Sequence, residues 1–466
     1  MEINFYIKIP NLFYILTFII LYLNINYINH KINMKNFKIK LFEHQIKCIN
    51  WLKNHYGLIL YHSMGSGKTI TSLASVYQFK YPIIIISTKS SRKNFQDDIK
   101  KMNLDMGRIK ILTYQKAIRL IMDSQLTFDE KSVIIDEAHH LRSGTKLQSI
   151  LIEECTRAKK LVLLTGTIFY NNLTDLSVLV NMIKQDEVLP ETNKEFKFFF
   201  WDDLYEAPTY IDTLKERITG TISYYKKSQD SHYPKFFITY IKVDMSNEQI
   251  SEYRHYLKKI LSLDNIQHID YAILDKRKVN NFLNVTRQLS NTLENSPDFP
   301  KIIAIFKYIK SNPKPIIVYS NYLANGILPL TIHLNNSKIS YSIYFGEQTE
   351  EKRNKIIDNY NQRKTDVLLI TSAGSESLDL KNTRSIHIME PHWNESKINQ
   401  IIGRAIRYDS HVILPESERI VEIVRWISVF GYKIPFETAD EYLINIAQKK
   451  EKMFGAFDKI IQECSN

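Results

Sequence analysis

The chain has 466 residues, 44% of them hydrophobic, with 62 Lys plus Arg against 50 Asp plus Glu and a formal charge of +12. That composition excludes a disordered chain, gives room for about three domains, and favours a polyanionic partner such as nucleic acid. Three cysteines, Cys48, Cys155 and Cys464, stand far apart in no metal-ligand spacing, so neither a disulfide scaffold nor a zinc site is indicated and a reducing intracellular compartment fits.

In chain order the first feature is the uncharged apolar stretch at residues 11–23, which Asn24, Asn26 and Asn29 follow at once. It falls short of the roughly 20 apolar residues of a spanning helix. An anchor, a signal-like segment or extra sequence ahead of Met34 would each account for it. The last is favoured because domain-like patterning begins at "MKNFKIKLFEHQ", so no stable membrane association is expected.

From residue 58 onward, short runs rich in Ile and Val alternate with stretches of helical period. "LILYH" (58–62), "IIIIS" (83–87), "IKILT" (109–113), "SVIIDE" (132–137) and "LVLLT" (161–165) read as buried parallel strands with helices on both faces of the sheet. Residues 166–297 change to mainly helical patterning. A second set of strands follows at "PIIVYS" (315–320), "ISYSIYF" (339–345), "DVLLIT" (366–371) and "SIHIME" (385–390). The fold class is therefore α/β, with two doubly wound parallel-sheet lobes and a mainly helical insert between them. The expected division is an N-terminal extension at 1–33, lobe 1 at 34–240, a helical bridge at 241–297, lobe 2 at 298–430 and a helical tail at 431–466. The tail sequence "TADEYLINIAQKKEKMFGAF" predicts an amphipathic helix packed against the second lobe.

After the first strand comes "HSMGSGKTITSLASVYQF" (62–79). Gly65 and Gly67 permit a tight loop whose backbone N–H groups face phosphate oxygens, and the loop opens into a helix N-terminus that favours anions. Met64, Gly65, Ser66, Gly67, Lys68 and Thr69 thus form the expected ATP cradle, Lys68 reaching the β- and γ-phosphates and Thr69 offering a hydroxyl to Mg²⁺. The strict phosphate-loop pattern wants glycine where this chain has His62. Downstream, "VIIDEAHHL" (133–141) sets two carboxylates at the C-terminal end of a buried strand, where ligands sit in open α/β sheets. Asp136 suits Mg²⁺, and Glu137 suits the base that orients and deprotonates the attacking water. The alternative makes Asp136 a helix cap and His139 with His140 a metal site.

Near the C-terminus, "QIIGRAIR" (400–407) places Gln400, Gly403, Arg404 and Arg407 on one helical face and Ile398, Ile401, Ile402 and Ala405 on another. The bland reading is a solvated face with surface ion pairs.

A phosphate loop, an Asp-Glu-Ala-His box and the arginine helix in that order resemble the superfamily 2 helicase-type ATPases over roughly residues 35–425. "LLTGTIFYNNLTDLSVLVNMI" (163–183) looks like motif III of the Swi/Snf-like branch, which implies that Thr165, Gly166 and Thr167 couple hydrolysis to nucleic-acid contacts. "LFEHQIKCINWL" (41–52) is similar to that branch's opening motif, whose glutamine, here Gln45, would read adenine. The later motifs are matched by 346–361 and 368–394, implying Gly374, Glu376, Leu378 and Asp379 near the nucleic acid and nucleotide. Residues 400–423 and 219–236 resemble the nucleoside triphosphatase I and early transcription factor small subunit group of large DNA viruses. The chain departs from the Swi/Snf pattern at "SYYKKSQ", where paired arginines are usual, and at Ile168 and Phe169, which speaks against chromatin remodelling.

The resemblance makes Arg404 and Arg407 arginine fingers, aimed across a cleft at the γ-phosphate held by Lys68 and worth ~10³ to 10⁵ in rate. The expected function is an ATP-dependent nucleic-acid translocase of viral transcription, with ATP and Mg²⁺ as cofactors. Its alternatives are a strand-separating helicase and a transcription-factor scaffold with weak ATPase. Sequence-independent contacts are expected from Thr88 to Lys93, Thr113 to Lys116, Ser320, Asn321 and Ser372 to Ser375. DNA is the favoured track, with RNA open. A viral RNA polymerase or transcription factor subunit is the expected protein partner, and the virion or host cytoplasm the expected place.

Overall fold

The computed structural model describes residues 39–466 apart from 64, 90, 143–144, 227–231, 264–270, 272–273, 295, 372–377, 393–394, 432–435 and 466. The N-terminal extension lies outside the described residues.

The first lobe begins with α1 (Glu43–Asn54), β1 (Gly57–His62), α2 (Lys68–Tyr77), β2 (Ile83–Ser87), α3 (Ser91–Met102), β3 (Ile109–Thr113), α4 (Tyr114–Met122), β4 (Ser132–Ile135), α5 (Lys146–Cys155) and β5 (Lys160–Thr165). It continues through α6 (Thr174–Lys184), α7 (Asn193–Phe200), the short pair β6 (Trp201–Asp202) and β7 (Ala207–Pro208), α8 (Ile211–Ile218) and β8 (Ile222–Tyr225). Its sheet is parallel, in the order β3-β2-β4-β5-β1-β8. Successive residues of a strand face opposite sides, and both sides are covered here. Ile59, Leu161 and Leu163 enter one apolar cluster, and Leu58, Leu60, Val162 and Leu164 the other. That is why these strands read as unbroken apolar runs.

The second lobe comprises β9 (Lys235–Asp244), α9 (Asn247–Tyr256), α10 (Lys276–Asn291), α11 (Pro300–Ser311), β10 (Ile316–Ser320), α12 (Leu328–Asn336), β11 (Tyr341–Tyr344), α13 (Glu350–Asn361), β12 (Val367–Thr371), β13 (Ser385–Ile388), α14 (Glu395–Ala405) and β14 (Ile420–Val429), followed by α15 (Ala439–Cys464). Its sheet is also parallel, in the order β11-β12-β10-β13-β14-β9.

Three features differ from expectation. Strands β8, β9 and β14 lie where none was read. The expected lobe boundary at residue 240 cuts through β9, which pairs with β14 from Lys235↔Ile420 to Asp244↔Val429 and so belongs to the second sheet. As an edge strand it carries half-exposed Phe236, Ile238 and Tyr240 instead of a buried apolar run. Finally, α15 packs against both lobes. Its start lies with Tyr253, Phe282 and Phe430 through Ala439 and Leu443, whereas Phe457, Ile460 and Ile461 join the core of the first lobe. Among the described residues no helix is long and apolar enough to cross a membrane.

Candidate functional site

The loop after β1 is shaped by its glycines. Gly65 and Gly67 have φ of +74° and +80°, a region that costs an L residue a clash of its Cβ with backbone, and Gly67 is the residue at which α2 begins. A Cβ on Gly67 would lie 2.6 Å from Gln45 Nε2, so the helix N-terminus and Gln45 approach as closely as they do only because residue 67 is glycine. The departure at His62 is harmless to the loop because the imidazole turns into the protein. Its Nε2 lies 2.9 Å from Ser223 Oγ on β8, and burial, with help from His44 and Lys68, lowers its pKa to about 3, keeping it neutral.

Lys68 Nζ donates to the carbonyls of His62 (2.8 Å) and Ser63 (3.2 Å). Burial lowers its pKa, Glu137 and Asp136 oppose that, and the positive charges of Arg404 and Arg407 on the second lobe add to it. Gly166 also borders this group, since a Cβ there would stand 3.8 Å from Lys68 Nζ.

The two carboxylates follow β4. Asp136 is pushed up to about 6 by burial and by the Glu137 charge, against a hydrogen bond from Ser91 and the attraction of Lys68. Glu137 sits at φ 51°, ψ 51°, a left-handed conformation uncommon for a non-glycine residue and typical of functional sites. Burial works against its charge, but His139, Lys68 and Arg404 outweigh burial and hold its carboxyl below the usual range. His139 Nδ1 lies 3.3 Å from Glu137 Oε2, and its ring stacks on Tyr170 at 5.3 Å. An ionised Glu137 is the form a general base requires.

The alternative metal site at His139 and His140 finds no support, since His139 is engaged with Glu137 and Tyr170, and among the described residues no cluster of three or more ligands could hold a metal ion. Mg²⁺ is different, since it binds few protein ligands and completes its shell with phosphate oxygens and water. Thr69, in the first turn of α2, and Asp136 supply oxygen donors of the right kind. The buried Ser66 Oγ, which makes no hydrogen bond among the described residues, and the left-handed glycine loop suit a phosphate group.

In the second lobe, Ile398, Ile401 and Ala405 of α14 are fully buried against β13 and β14, as the helical spacing predicted. Arg404 lies in the last turn of α14, and Arg407 falls just past its end. Arg407 Nε donates to Gly403 O at 3.0 Å, and Nη1 lies 3.6 Å from Asp379 Oδ1. Burial and Arg404 lower the Arg407 pKa to about 10, against Asp379 and Tyr233. Asp379 is thus brought to Arg407, where the resemblance implied a place near the nucleic acid and nucleotide, while Met64, Gly374 and Glu376 lie outside the described residues. Gln45 is buried, with Oε1 accepting from Phe42 N at 2.9 Å and Nε2 donating to Gly67 O at 3.4 Å; its amide braces the phosphate loop.

Several residues expected to meet nucleic acid are spent elsewhere. Ser320 is fully buried and, with Asn321, donates to Glu390. Thr113 caps α4, and the Tyr114 hydroxyl donates to the carbonyls of Asp136 (2.6 Å) and Glu137 (3.2 Å). Thr88 accepts from the backbone of Ser91 at 3.2 Å, while Lys89, Arg92 and Lys93 are exposed. Residues 372–375 lie outside the described residues. Sequence reasoning missed Tyr114, Tyr170 and Ser91 as supports of the carboxylates, because single residues of ordinary type carry no spacing signal.

The chain matches the SNF2-related domain over residues 82–298 and the helicase conserved C-terminal domain over residues 300–409. It is 46% identical over 437 residues to the "Putative ATP-dependent RNA helicase L538" of Acanthamoeba polyphaga mimivirus, covering 92% of this chain and 98% of that protein. It is 24% identical over 550 aligned positions to a "Termination factor NPH-I homolog" of African swine fever virus, covering 89% of this chain and 76% of that protein. Among solved structures, the helicase domain of Pyrococcus furiosus Hef aligns with a TM-score of 0.51 at 13% identity, covering 87% of this chain and 97% of that one. That likeness bears on the fold alone.

Proposed function

The chain belongs to the superfamily 2 helicase-type ATPases, nucleic-acid-dependent enzymes that hydrolyse ATP, and on that premise we propose that it couples hydrolysis to movement along DNA during viral transcription. The feature that supports the reading best is electrostatic: Arg404 and Arg407 of one lobe both act on the charge of Lys68 in the other, and Arg404 on that of Glu137. Such a site is assembled only when the lobes hold this spacing, so a change at the nucleotide and a change in lobe spacing are one event.

Chemically, Glu137 takes the proton from the water that attacks the γ-phosphate. Lys68, Arg404 and Arg407 offset the charge that spreads over the transferred group. Thr69 and Asp136 would hold Mg²⁺, which supplies further charge neutralisation at the phosphates. His139 orients the Glu137 carboxylate, and Tyr114 holds the backbone on which both carboxylates stand. Gly166 lies beside Lys68, within the 165–167 stretch to which the resemblance gives the coupling to nucleic acid.

Transcription is supported by the likeness to a viral termination factor, and a polymerase or transcription factor subunit in the virion or host cytoplasm is the matching partner. The 46% identity to a protein named as an RNA helicase favours a second reading, in which the track is RNA and strands are separated. ATP hydrolysis by the full chain without polymer, then with single-stranded DNA, duplex DNA or RNA, decides between them, with Lys68→Ala as the blank. Stimulation by duplex DNA supports the first reading, and stimulation by RNA alone the second. In the same assay Arg407→Ala should lose ~10³-fold or more in kcat; full activity of that variant would overturn the arginine assignment.

A further inference from the structure

One aromatic side chain bridges the two halves of the site. Tyr233 belongs to the segment that leads into β9. Its hydroxyl stands 3.6 Å from where a Cβ on Gly65 would lie, and among the described residues no other atom beyond the loop's own neighbours comes within 4 Å of that point. The same side chain is mounted on the second lobe. Its ring meets Tyr408 edge-on at 5.8 Å, and the adjacent His232 lies flat on Tyr408 at 4.9 Å. His232 Nδ1 is 2.6 Å from Asp409 Oδ1, and Asp409 N donates to His232 O at 3.0 Å. Tyr408 and Asp409 directly follow Arg407, so the phenol and the guanidinium ride on one unit.

We propose that Tyr233 is a nucleotide-binding residue whose phenolic hydroxyl donates a hydrogen bond to a phosphate oxygen of the nucleoside triphosphate in the 63–69 loop. A phenol O–H facing an anionic oxygen makes a charge-assisted bond, about twice as strong as a neutral one. The left-handed Gly65, lacking a side chain, leaves that side of the loop open, and the phenol is what stands there. The contact deepens the ATPase reading of this site, and its link to lobe spacing rests on the arginine assignment above. Because the donor is carried by the second lobe and the loop by the first, the bond is made when the two lobes hold the nucleotide between them. Tyr233 would then contribute to affinity, and Arg407 to the rate.

The test is equilibrium binding of Mg-ATP and of inorganic tripolyphosphate to the full chain and to Tyr233→Phe, which removes the hydroxyl and keeps the ring in its aromatic contacts. Both ligands should bind about tenfold more weakly to the variant, the effect of one hydrogen bond to a charged group. Unchanged affinity for both overturns the proposal. Weakening toward ATP but not tripolyphosphate also overturns it, by moving the contact to the nucleoside. Since the readout is binding, a failure of Arg407→Ala to slow hydrolysis would sink the arginine assignment and leave this result standing on its own.

Discussion

Lys301 at the start of α11 and Asp440 in the first turn of α15 form a buried ion pair, Nζ to Oδ2 at 2.8 Å, with side chains 1% and 0% exposed. Lys301 Nζ also donates to Met389 O at 3.1 Å, and Asp440 Oδ2 accepts from Ser428 N at 2.9 Å. At an effective dielectric of 20 the attraction at that separation is about 6 kcal/mol, roughly what taking two charges out of water consumes. The intact pair therefore contributes little net stability, and breaking it is costly. Lys301→Met leaves the Asp440 charge buried beside one backbone N–H and should cost about 3–5 kcal/mol. Asp440→Asn keeps an acceptor for Ser428 N and should cost a similar amount by stranding the lysine. The double variant removes both charges and should cost at least about 2 kcal/mol less than the sum of the single changes. Urea unfolding of all four proteins reads the cycle. Additivity within about 0.5 kcal/mol would refute the reasoning, because it would mean that neither charge depends on the other.

Two further predictions concern the site and the sheets around it. Gly67→Ala meets both a φ of +80° and Gln45 Nε2 at 2.6 Å, and should weaken nucleotide affinity by tenfold or more in a fluorescent-nucleotide titration; wild-type affinity would show that the loop relaxes freely. His387 is buried, and burial lowers its pKa to about 3, far below its unfolded value near 6.5. Below pH 6.5 the unfolded chain binds a proton there that the folded chain refuses, so this residue removes stability as pH falls toward 3. In His387→Gln the decline between pH 6 and 4 should be shallower than in wild type by about 1.4 kcal/mol per pH unit, read from urea unfolding at each pH; parallel curves would contradict the assignment.

The chemistry was legible where it is written locally. Gly65, Gly67, Lys68 and Thr69 are neighbours in sequence, as are Asp136 and Glu137, and Arg404 stands in the last turn of the helix that the spacing predicts, with Arg407 just past its end. What their order could not reveal was contact across long separations. His62 looked like a defect in the phosphate loop until Ser223, on a strand that was not expected, provided its partner. Strand β9 is hidden from an expectation of buried apolar strands because, at the sheet edge, Phe236, Phe237 and Ile238 stay exposed. The apolar stripe of the tail correctly announced a helix with one buried face. Amphipathicity does not name the surface a face will meet, and Leu443 and Phe457 on the same helix turned out to serve different cores.

The path of that helix has a thermodynamic meaning. The chain leaves the first lobe after β8, builds the second, and returns through α15, whose Asp458 accepts from the Tyr61 hydroxyl at 2.9 Å on the strand that leads into the phosphate loop. The two lobes are thus closed into a circuit, each holding part of a helix whose melting would strip the other's core of Phe457 or Leu443. The arrangement predicts that heat or denaturant acting on either lobe is felt by both, so that the lobes should melt in one calorimetric transition; two separate transitions would contradict it.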